Sequence, residues 1–367
     1  MRHMRLSPLS FSRFATTGLL VSLMISGFGA VDMVMVAPFG ADALAAIGLG
    51  ELITATAFAV LSGYADLYVT MLARQVGADQ RQARRTNGLF VSAALCLTAI
   101  FALLALAVGP ALDRVYAGEA MSQGIAAYVV VRFMGVGLHL LSFGFVEALK
   151  IRGRQGLAFA PVAVGFLANI AGNAAVLYTP VREWAPGLEA GIAASTVAAQ
   201  LAMAVCAWLL WLRLPALSRS RALRRPAAQA DPALSLAGFM KAGVSIGGRN
   251  LNDYISNLAP LLFIASMGAE RAAAAAVATK LATLFYRVPQ GCFGASLVFY
   301  SFTLDRFVRR PGRARRVRFQ RLALYSATPT AVFALAFLVF GQPLAHVFGE
   351  AVDPTRIAGL LTAYLVF

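Results

Sequence analysis

A single carboxylate, Asp32, interrupts the apolar, glycine-rich segment GFGAVDMVMVAPFG of residues 27–40. Two amides in FLANIAGNAAVLY, Asn169 and Asn173, are four residues apart and therefore share one face of a helix. A hydroxyl, Thr196, lies in the equally apolar segment GIAASTVAA. A carboxylate surrounded by amide and hydroxyl oxygens can bind a proton or Na⁺, since hard cations prefer oxygen ligands. The competing interpretation is that the amides and the hydroxyl only bond helices to one another.

A second polar group lies in GVSIGGRNLNDYISNL, residues 243–258. Its candidates for a substrate site or a second cation site are Arg249, Asn250, Asp253 and Tyr254. Arg249 and Asp253 are also spaced i and i+4, so they can instead neutralise each other as a buried ion pair. Both interpretations stay open at the level of the sequence.

Other charged and titratable residues fall in apolar segments. Lys280 and Arg287 are seven residues apart and share a helix face, and we expect them to pair with carboxylates such as Glu51 or Asp66. His139 is predicted to be satisfied within the helix bundle rather than to relay protons. A carboxylate such as Asp32 is different, because charges inside a membrane are costly and therefore functional by default.

The composition decides the setting of these residues. Of the 367 residues, 59% are hydrophobic and 13% are charged, whereas soluble domains average about 45–50% apolar and about 25% charged residues. We therefore predict an all-α, polytopic integral membrane protein. A crossing helix needs about 20 apolar residues, which places spans near 15–38, 44–73, 87–112, 121–149, 156–180, 188–212, 236–267, 272–304 and 319–345, with a tenth beginning near 355.

The loops alternate in charge, and every second loop is basic. The positive-inside rule then places the N-terminus and all basic loops in the cytoplasm, so we expect a multi-pass protein of the inner (plasma) membrane. The net charge of +16 is explained by this orientation and by contact with anionic membrane lipids, and nucleic acid is excluded as a partner.

Two segments resemble each other, FGADALAAIGLGELI at the second span and MGAERAAAAAVATKLATL at the eighth. This internal repeat predicts two pseudo-symmetric lobes of six helices each in the complete protein, an architecture common in transporters. We divide the chain into a cytoplasmic N-terminus (1–14), an N-lobe (15–212), a basic cytoplasmic linker (213–235) and a C-lobe (236–367). About ten spans are present, and because the last is too short to cross we expect further helices after Phe367.

Three segments resemble the multidrug and toxic compound extrusion (MATE) family, including its NorM-like and DinF-like members, within the multidrug/oligosaccharidyl-lipid/polysaccharide flippase (MOP) superfamily. They are VDMVMVAPFGADALAAIGL, LARQVGADQRQARR and AVATKLATLFYRVPQGCFGAS. In that family a first-span aspartate, two fifth-span polar residues and a sixth-span threonine form the cation site of the N-lobe, and Asp32, Asn169, Asn173 and Thr196 match these positions. The seventh-span acidic residue of NorM-like members is matched by Asp253.

The resemblance implies a secondary active antiporter that exports amphipathic, cationic organic compounds in exchange for H⁺ or Na⁺ by alternating access. It implies a monomer with no cofactor beyond the coupling ion, and a protein that is not an enzyme. The alternative within the superfamily is a flippase of lipid-linked precursors. Its pyrophosphate-binding cavity would draw on four cations, Arg132, Arg249, Lys280 and Arg287.

Overall fold

A computed structural model of the chain describes residues 8–75, 80–115, 120–151, 155–184, 186–213, 235–307, 312–348 and 352–366. All regular structure within these ranges is helical. The α-helices are α1 (Pro8–Val36), α2 (Ala41–Gln75), α3 (Gln80–Val115), α4 (Ala120–Met134), α5 (Val136–Ile151), α6 (Gln155–Tyr178), α7 (Leu188–Arg213), α8 (Leu236–Ala265), α9 (Ala269–Phe307), α10 (Gly312–Ala345) and α11 (Pro354–Val366).

Five segments of the described helices are long and apolar enough to cross a bilayer: Gly18–Phe39, Ala41–Leu72, Ala83–Leu112, Gly156–Tyr178 and Leu188–Arg213. The bent pair formed by α4 and α5 provides a sixth when the two are counted together. The chain is therefore a polytopic helical membrane protein. The later predicted spans fall on α8, α9, α10 and the start of α11, and membrane crossing by these helices stays a prediction.

The predicted span 121–149 is not one continuous helix. It breaks at Gly135 into α4 and α5, which are bent by 55°, and the Gly135 N–H bonds to the carbonyls of Val131 and Arg132 at 3.2 Å each. A Cβ at Gly135 would collide with the side chain of Val197 on α7. The missing side chain thus lets α7 approach the chain at the bend.

The two similar sequence segments adopt the same turn. Gly40 and Gly268 precede α2 and α9 with φ angles of 106° and 110°, a left-handed conformation that favours glycine. Gly48 and Ala276 lie eight residues after these glycines, and a Cβ at Gly48 would press on the Cβ of Ala276. Equivalent positions of the two segments therefore meet where α2 contacts α9.

The helices pack as two groups. In the N-terminal group (α1–α7), α6 packs on α7, α3 on α4, and α1 on α6, while in the C-terminal group (α8–α11), α9 packs on α10 and α11. The main contacts between the groups are α2 on α8, α1 on α9, and α2 on α9. The predicted linker 213–235 lies mostly outside the described residues, so the domain boundaries stay a prediction.

The contact between α2 and α8 depends on glycine. A Cβ at Gly63 would collide with the backbone of Gly243 and Gly247 on α8, so the two helix backbones touch here. The ring of the fully buried Tyr64 packs beside Gly243 and lies 6.2 Å from the ring of Phe239, centroid to centroid. Small residues that allow close helix approach are typical of membrane helix interfaces.

Candidate functional site: a buried carboxylate between three helices

Asp32 is completely buried in α1 and accepts hydrogen bonds from two other helices. The side-chain N–H groups of Asn169 and Asn173 donate to Asp32 Oδ1, each at 2.7 Å. The hydroxyl of Thr196 donates to Asp32 Oδ2 at 3.0 Å. The structure thus brings together all four residues predicted for the N-lobe site, although they come from α1, α6 and α7.

The two amides reach the same carboxylate oxygen because they are one helical turn apart on α6. Gly165 and Gly172, two turns apart, lie on α6 next to the two asparagines. A Cβ at Gly165 would be 3.0 Å from the Cβ of Met203, and one at Gly172 would collide with Ser195, so both glycines lie against α7. This close approach places the asparagine face of α6 beside Thr196.

Aromatic packing fixes the position of α1 against α6. The rings of Phe28 and Phe166 pack edge to face with centroids 5.9 Å apart, a favourable geometry for aromatic pairs. One residue earlier, a Cβ at Gly27 would be 3.1 Å from the Phe166 ring. Phe28 is four residues before Asp32, so the same side of α1 that packs on α6 presents the carboxylate to the asparagines.

The hydroxyl of Thr196 has two acceptors. Besides Asp32 Oδ2, its oxygen lies 3.1 Å from the carbonyl of Ile192, one turn earlier on α7. A hydroxyl carries one proton, so Thr196 donates to one of these oxygens at a time. Ser195 adds a backing contact by donating to the backbone carbonyl of Asn169 at 3.2 Å; the sequence signal for it is Gly172, which makes room for the serine.

The site also holds spare acceptor oxygens. The side-chain Oδ1 atoms of Asn169 and Asn173 are buried, and no hydrogen-bond partner for them is found among the described residues. Buried polar atoms are normally bonded, and each exception calls for an explanation. Together with the carboxylate, the cluster therefore holds more oxygen acceptors than its own donors occupy.

The second predicted group lies on the backbone of α8. The side chains of Arg249, Asn250 and Asp253 fall outside the described residues, and Tyr254 is half-buried. The hypothesis of a substrate or second cation site at these four residues therefore stays a prediction.

His139 and Arg132 lie inside the N-terminal group. His139 Nδ1 is 2.9 Å from Gln200 Nε2, and the His139 ring centroid is 4.7 Å from that of Phe58. His139 is thus hydrogen-bonded within the helix bundle, as predicted; that it does not relay protons stays a prediction. Arg132 is 7% exposed, with its guanidinium carbon 5.7 Å from the centre of the Phe58 ring.

The two predicted cations of α9 have partners in the N-terminal group. Lys280 forms an ion pair with Glu51 of α2, which confirms the expectation of a carboxylate partner. Arg287 Nε donates to the hydroxyl of Ser26 on α1 at 2.7 Å. Of the four cations that a pyrophosphate cavity would use, Arg132 is thus buried within the N-terminal group, and Lys280 and Arg287 are engaged.

Known proteins resemble this chain in sequence over part of its length and in fold. Residues 19–175 match the MatE family model, and no curated protein matches the sequence. Among solved structures, an inward-facing MATE-family multidrug resistance transporter of the MOP superfamily is 17% identical with a TM-score of 0.67, the alignment covering 96% of this chain and 79% of that one. An outward-facing transporter of the same description is 17% identical with a TM-score of 0.58, covering 98% and 78%.

A third solved structure is a eukaryotic MATE transporter, AtDTX14, which is 16% identical with a TM-score of 0.68; the alignment covers 97% of this chain and 77% of that one. At these identities the structures establish the fold alone. Residues 19–175 are therefore similar to the MatE family model, and the chain has the fold of the solved MATE transporters.

Proposed function

We propose that this protein is a proton-coupled efflux antiporter that exports amphipathic organic cations by alternating access of its two helix groups. The observation that carries the proposal is the fully buried Asp32 carboxylate, held by three side-chain donors from two other helices. Ionisable residues inside membrane helices are rare and mark ion or substrate pathways, so such a residue is by default a candidate functional site. Two solved structures of the same fold, multidrug resistance transporters in inward-facing and outward-facing conformations, support both the substrate class and the alternation.

The bonding around Asp32 accommodates both protonation states. When the carboxylate is charged, Thr196 donates to Oδ2. When a proton is added at Oδ2, Asp32 donates to the Thr196 oxygen, and the Thr196 hydroxyl turns its own proton to the carbonyl of Ile192. The distances of 3.0 and 3.1 Å allow both arrangements without leaving a buried donor unbonded.

The orientation of the asparagines favours H⁺ over Na⁺ in this conformation. Both amides direct their N–H groups, not their oxygens, at Asp32 Oδ1. A bound Na⁺ needs oxygen ligands, so both side chains would have to turn over before they could coordinate it. A proton requires no such rearrangement, and Na⁺ coupling is therefore the second choice.

Coupling requires that the two orientations of the helix groups bind the ion with different affinity. Among the described residues, the donors to Asp32 of α1 lie on α6 and α7, while α1 also packs on α9 of the other group. A change of charge at Asp32 alters its bonds to α6 and α7. We infer that this change alters how α1 sits against α9, so that occupancy at Asp32 favours one orientation.

The test is export by protein in liposomes with an imposed pH gradient, using a cationic fluorescent dye. Asp32→Asn keeps the shape of the side chain but cannot bind a proton, so dye export is expected to fall to the level of protein-free liposomes. The matched control is Asp66→Asn, which removes an exposed carboxylate of α2 and is expected to leave export unchanged. If Asp32→Asn exports dye as fast as the parent, the proposed mechanism is wrong.

The same preparation separates the remaining alternatives. If a Na⁺ gradient at constant pH drives export, the coupling ion is Na⁺ and not H⁺. Translocation of a lipid-linked pyrophosphate in place of dye would favour the flippase. The proposed location, an inner membrane with the N-terminus in the cytoplasm, is tested by labelling a cysteine at an exposed loop residue such as Trp184 from outside intact cells.

A further inference from the structure

An ion pair joins the two helix groups close to Asp32. Glu51 of α2 and Lys280 of α9 are 229 residues apart in sequence and bond directly through Oε1 and Nζ. Their side chains are 20% and 16% exposed, so the pair is largely shielded from solvent. Its two members belong to different helix groups, and for this reason we name it the cross-group ion pair.

The cross-group ion pair lies against the helix that carries Asp32. The Glu51 carboxylate packs so closely on Gly29 of α1 that a Cβ at this position would overlap it. Gly29 is three residues before Asp32, so the two carboxylates approach neighbouring positions of the same helical turn, and Asp32 and Glu51 interact electrostatically. One turn further back on α1, Ser26 accepts a hydrogen bond from Arg287 of α9.

The charges around Glu51 set the sign of the effect. Lys280 attracts it and Asp32 repels it. Among the described residues, Arg132 and Tyr128 of α4 also interact with this cluster, and Arg287 of α9 adds a positive charge one turn away on α1, at Ser26. Both carboxylates belong to the N-terminal group and Lys280 belongs to the other group. When a proton neutralises Asp32, the N-terminal group presents less negative charge to Lys280, and the attraction across the contact weakens. The charge at Asp32 and the contact between the helix groups are therefore linked, and the linkage acts in both directions.

We propose that Glu51 and Lys280 are positioning residues that couple the charge at Asp32 to the relative orientation of the two helix groups. The proposal rests on the proposed function, because it assumes that Asp32 changes charge during transport. The proposal explains why residue 29 is glycine: without a side chain there, the Glu51 carboxylate can lie beside α1. It also explains why α9 carries a lysine within an apolar, alanine-rich segment.

The experiment measures the distance between the two helix groups by double electron–electron resonance (DEER) spectroscopy. Spin labels are placed at Trp184 of the N-terminal group and Met267 of the C-terminal group, which are 85% and 44% exposed at helix connections, after replacement of the native cysteines, Cys96, Cys206 and Cys292. The parent is expected to shift between two distance populations when the pH is changed across the titration range of transport.

Removing one partner is expected to weaken that response. In Glu51→Gln and Lys280→Gln, the ratio of the two populations should change with pH about 10-fold less than in the parent, as expected for loss of a largely buried ion pair. The exchanged variant, Glu51→Lys with Lys280→Glu, restores an ion pair but reverses the charges that face Asp32, so its response to pH should have the opposite sign. If both single variants show the parent's response, the proposal is wrong.

Controls keep this outcome separate from misfolding and from failure of the proposed function. Glu147→Gln removes an ion pair with Lys150 inside a single helix, α5, and should leave the response unchanged. If the single variants do not fold, the double variant Glu51→Gln/Lys280→Gln removes both charges together and must lack the response. Dye export by Asp32→Asn tests the antiport mechanism. The distances in the Glu51 and Lys280 variants test the role of the cross-group ion pair.

Discussion

The contact between α2 and α8 can be opened by one methyl group. In Gly63→Ala the new Cβ would lie 2.6 Å from the Cα of Gly247, and even closer to the Gly247 nitrogen and the Gly243 carbonyl oxygen. All three atoms are backbone, so no side chain can rotate away. Ordinary carbon contacts are about 3.5–4.0 Å, and α2 and α8 must therefore separate by roughly 1 Å.

The size of the effect follows from this overlap. Extra methyl groups in well-packed interiors cost about 1–3 kcal/mol. This cost falls only on the conformation in which the two helices touch. It would therefore change the ratio of conformations by about 5–150-fold. Other orientations of the two helix groups, in which Gly63 is not in contact with α8, would gain population by the same factor.

The assay is again the distance between spin labels, placed at Gly156 at the start of α6 and at Arg316 near the start of α10, both exposed. Gly63→Ala should enlarge the population with separated groups, and the initial rate of dye export should fall with it. Gly88→Ala is the control, because a Cβ there meets open space, and alanine favours helix over glycine by about 1 kcal/mol. If Gly63→Ala behaves like Gly88→Ala, the backbones do not meet as described.

Two further changes test the packing of the N-terminal group. Gly172→Ala places a Cβ against Ser195, which should separate α6 from α7, lower the free energy of unfolding by about 1–3 kcal/mol and reduce export; an unchanged melting temperature would contradict this packing. Gln200→Leu removes the partner of His139 and should cost about 1–3 kcal/mol of stability without altering the pH dependence of export. A changed pH dependence would instead assign His139 a role in proton movement.

The elements of the candidate site could be predicted from the sequence because their signals are local. Asp32 stands out as a charge in an apolar helix, and the four-residue spacing of Asn169 and Asn173 puts them on one face of α6. Thr196 was assigned to the site from the resemblance to the MATE family, since a single hydroxyl in a membrane helix carries little information by itself. Asn169, Asn173 and Thr196 all reach the Asp32 carboxylate because of tertiary packing, which depends on the glycines that bring α6 and α7 together.

Other features depend on contacts that no local pattern specifies. The bend at Gly135 was not predicted, because glycine is frequent in membrane helices and only the approach of Val197 distinguishes this one. The sequence offered both Glu51 and Asp66 as partners for Lys280, and the packing of α2 on α9 selects Glu51. The direction of the asparagine N–H groups, which bears on the choice between H⁺ and Na⁺, likewise arises only when the carboxylate is in place.

One helix connects these observations. On one side of α1, Phe28 and Asp32 face α6 and α7, where the carboxylate is bonded. On another side, Ser26 and Gly29 meet Arg287 of α9 and the Glu51 carboxylate of α2. The i and i+3 positions of a helix are neighbours, so the bonded carboxylate and the contact at Gly29 are separated by a single helical turn. In the mechanism we propose, this turn is the link through which the charge at Asp32 acts on the contact between the groups.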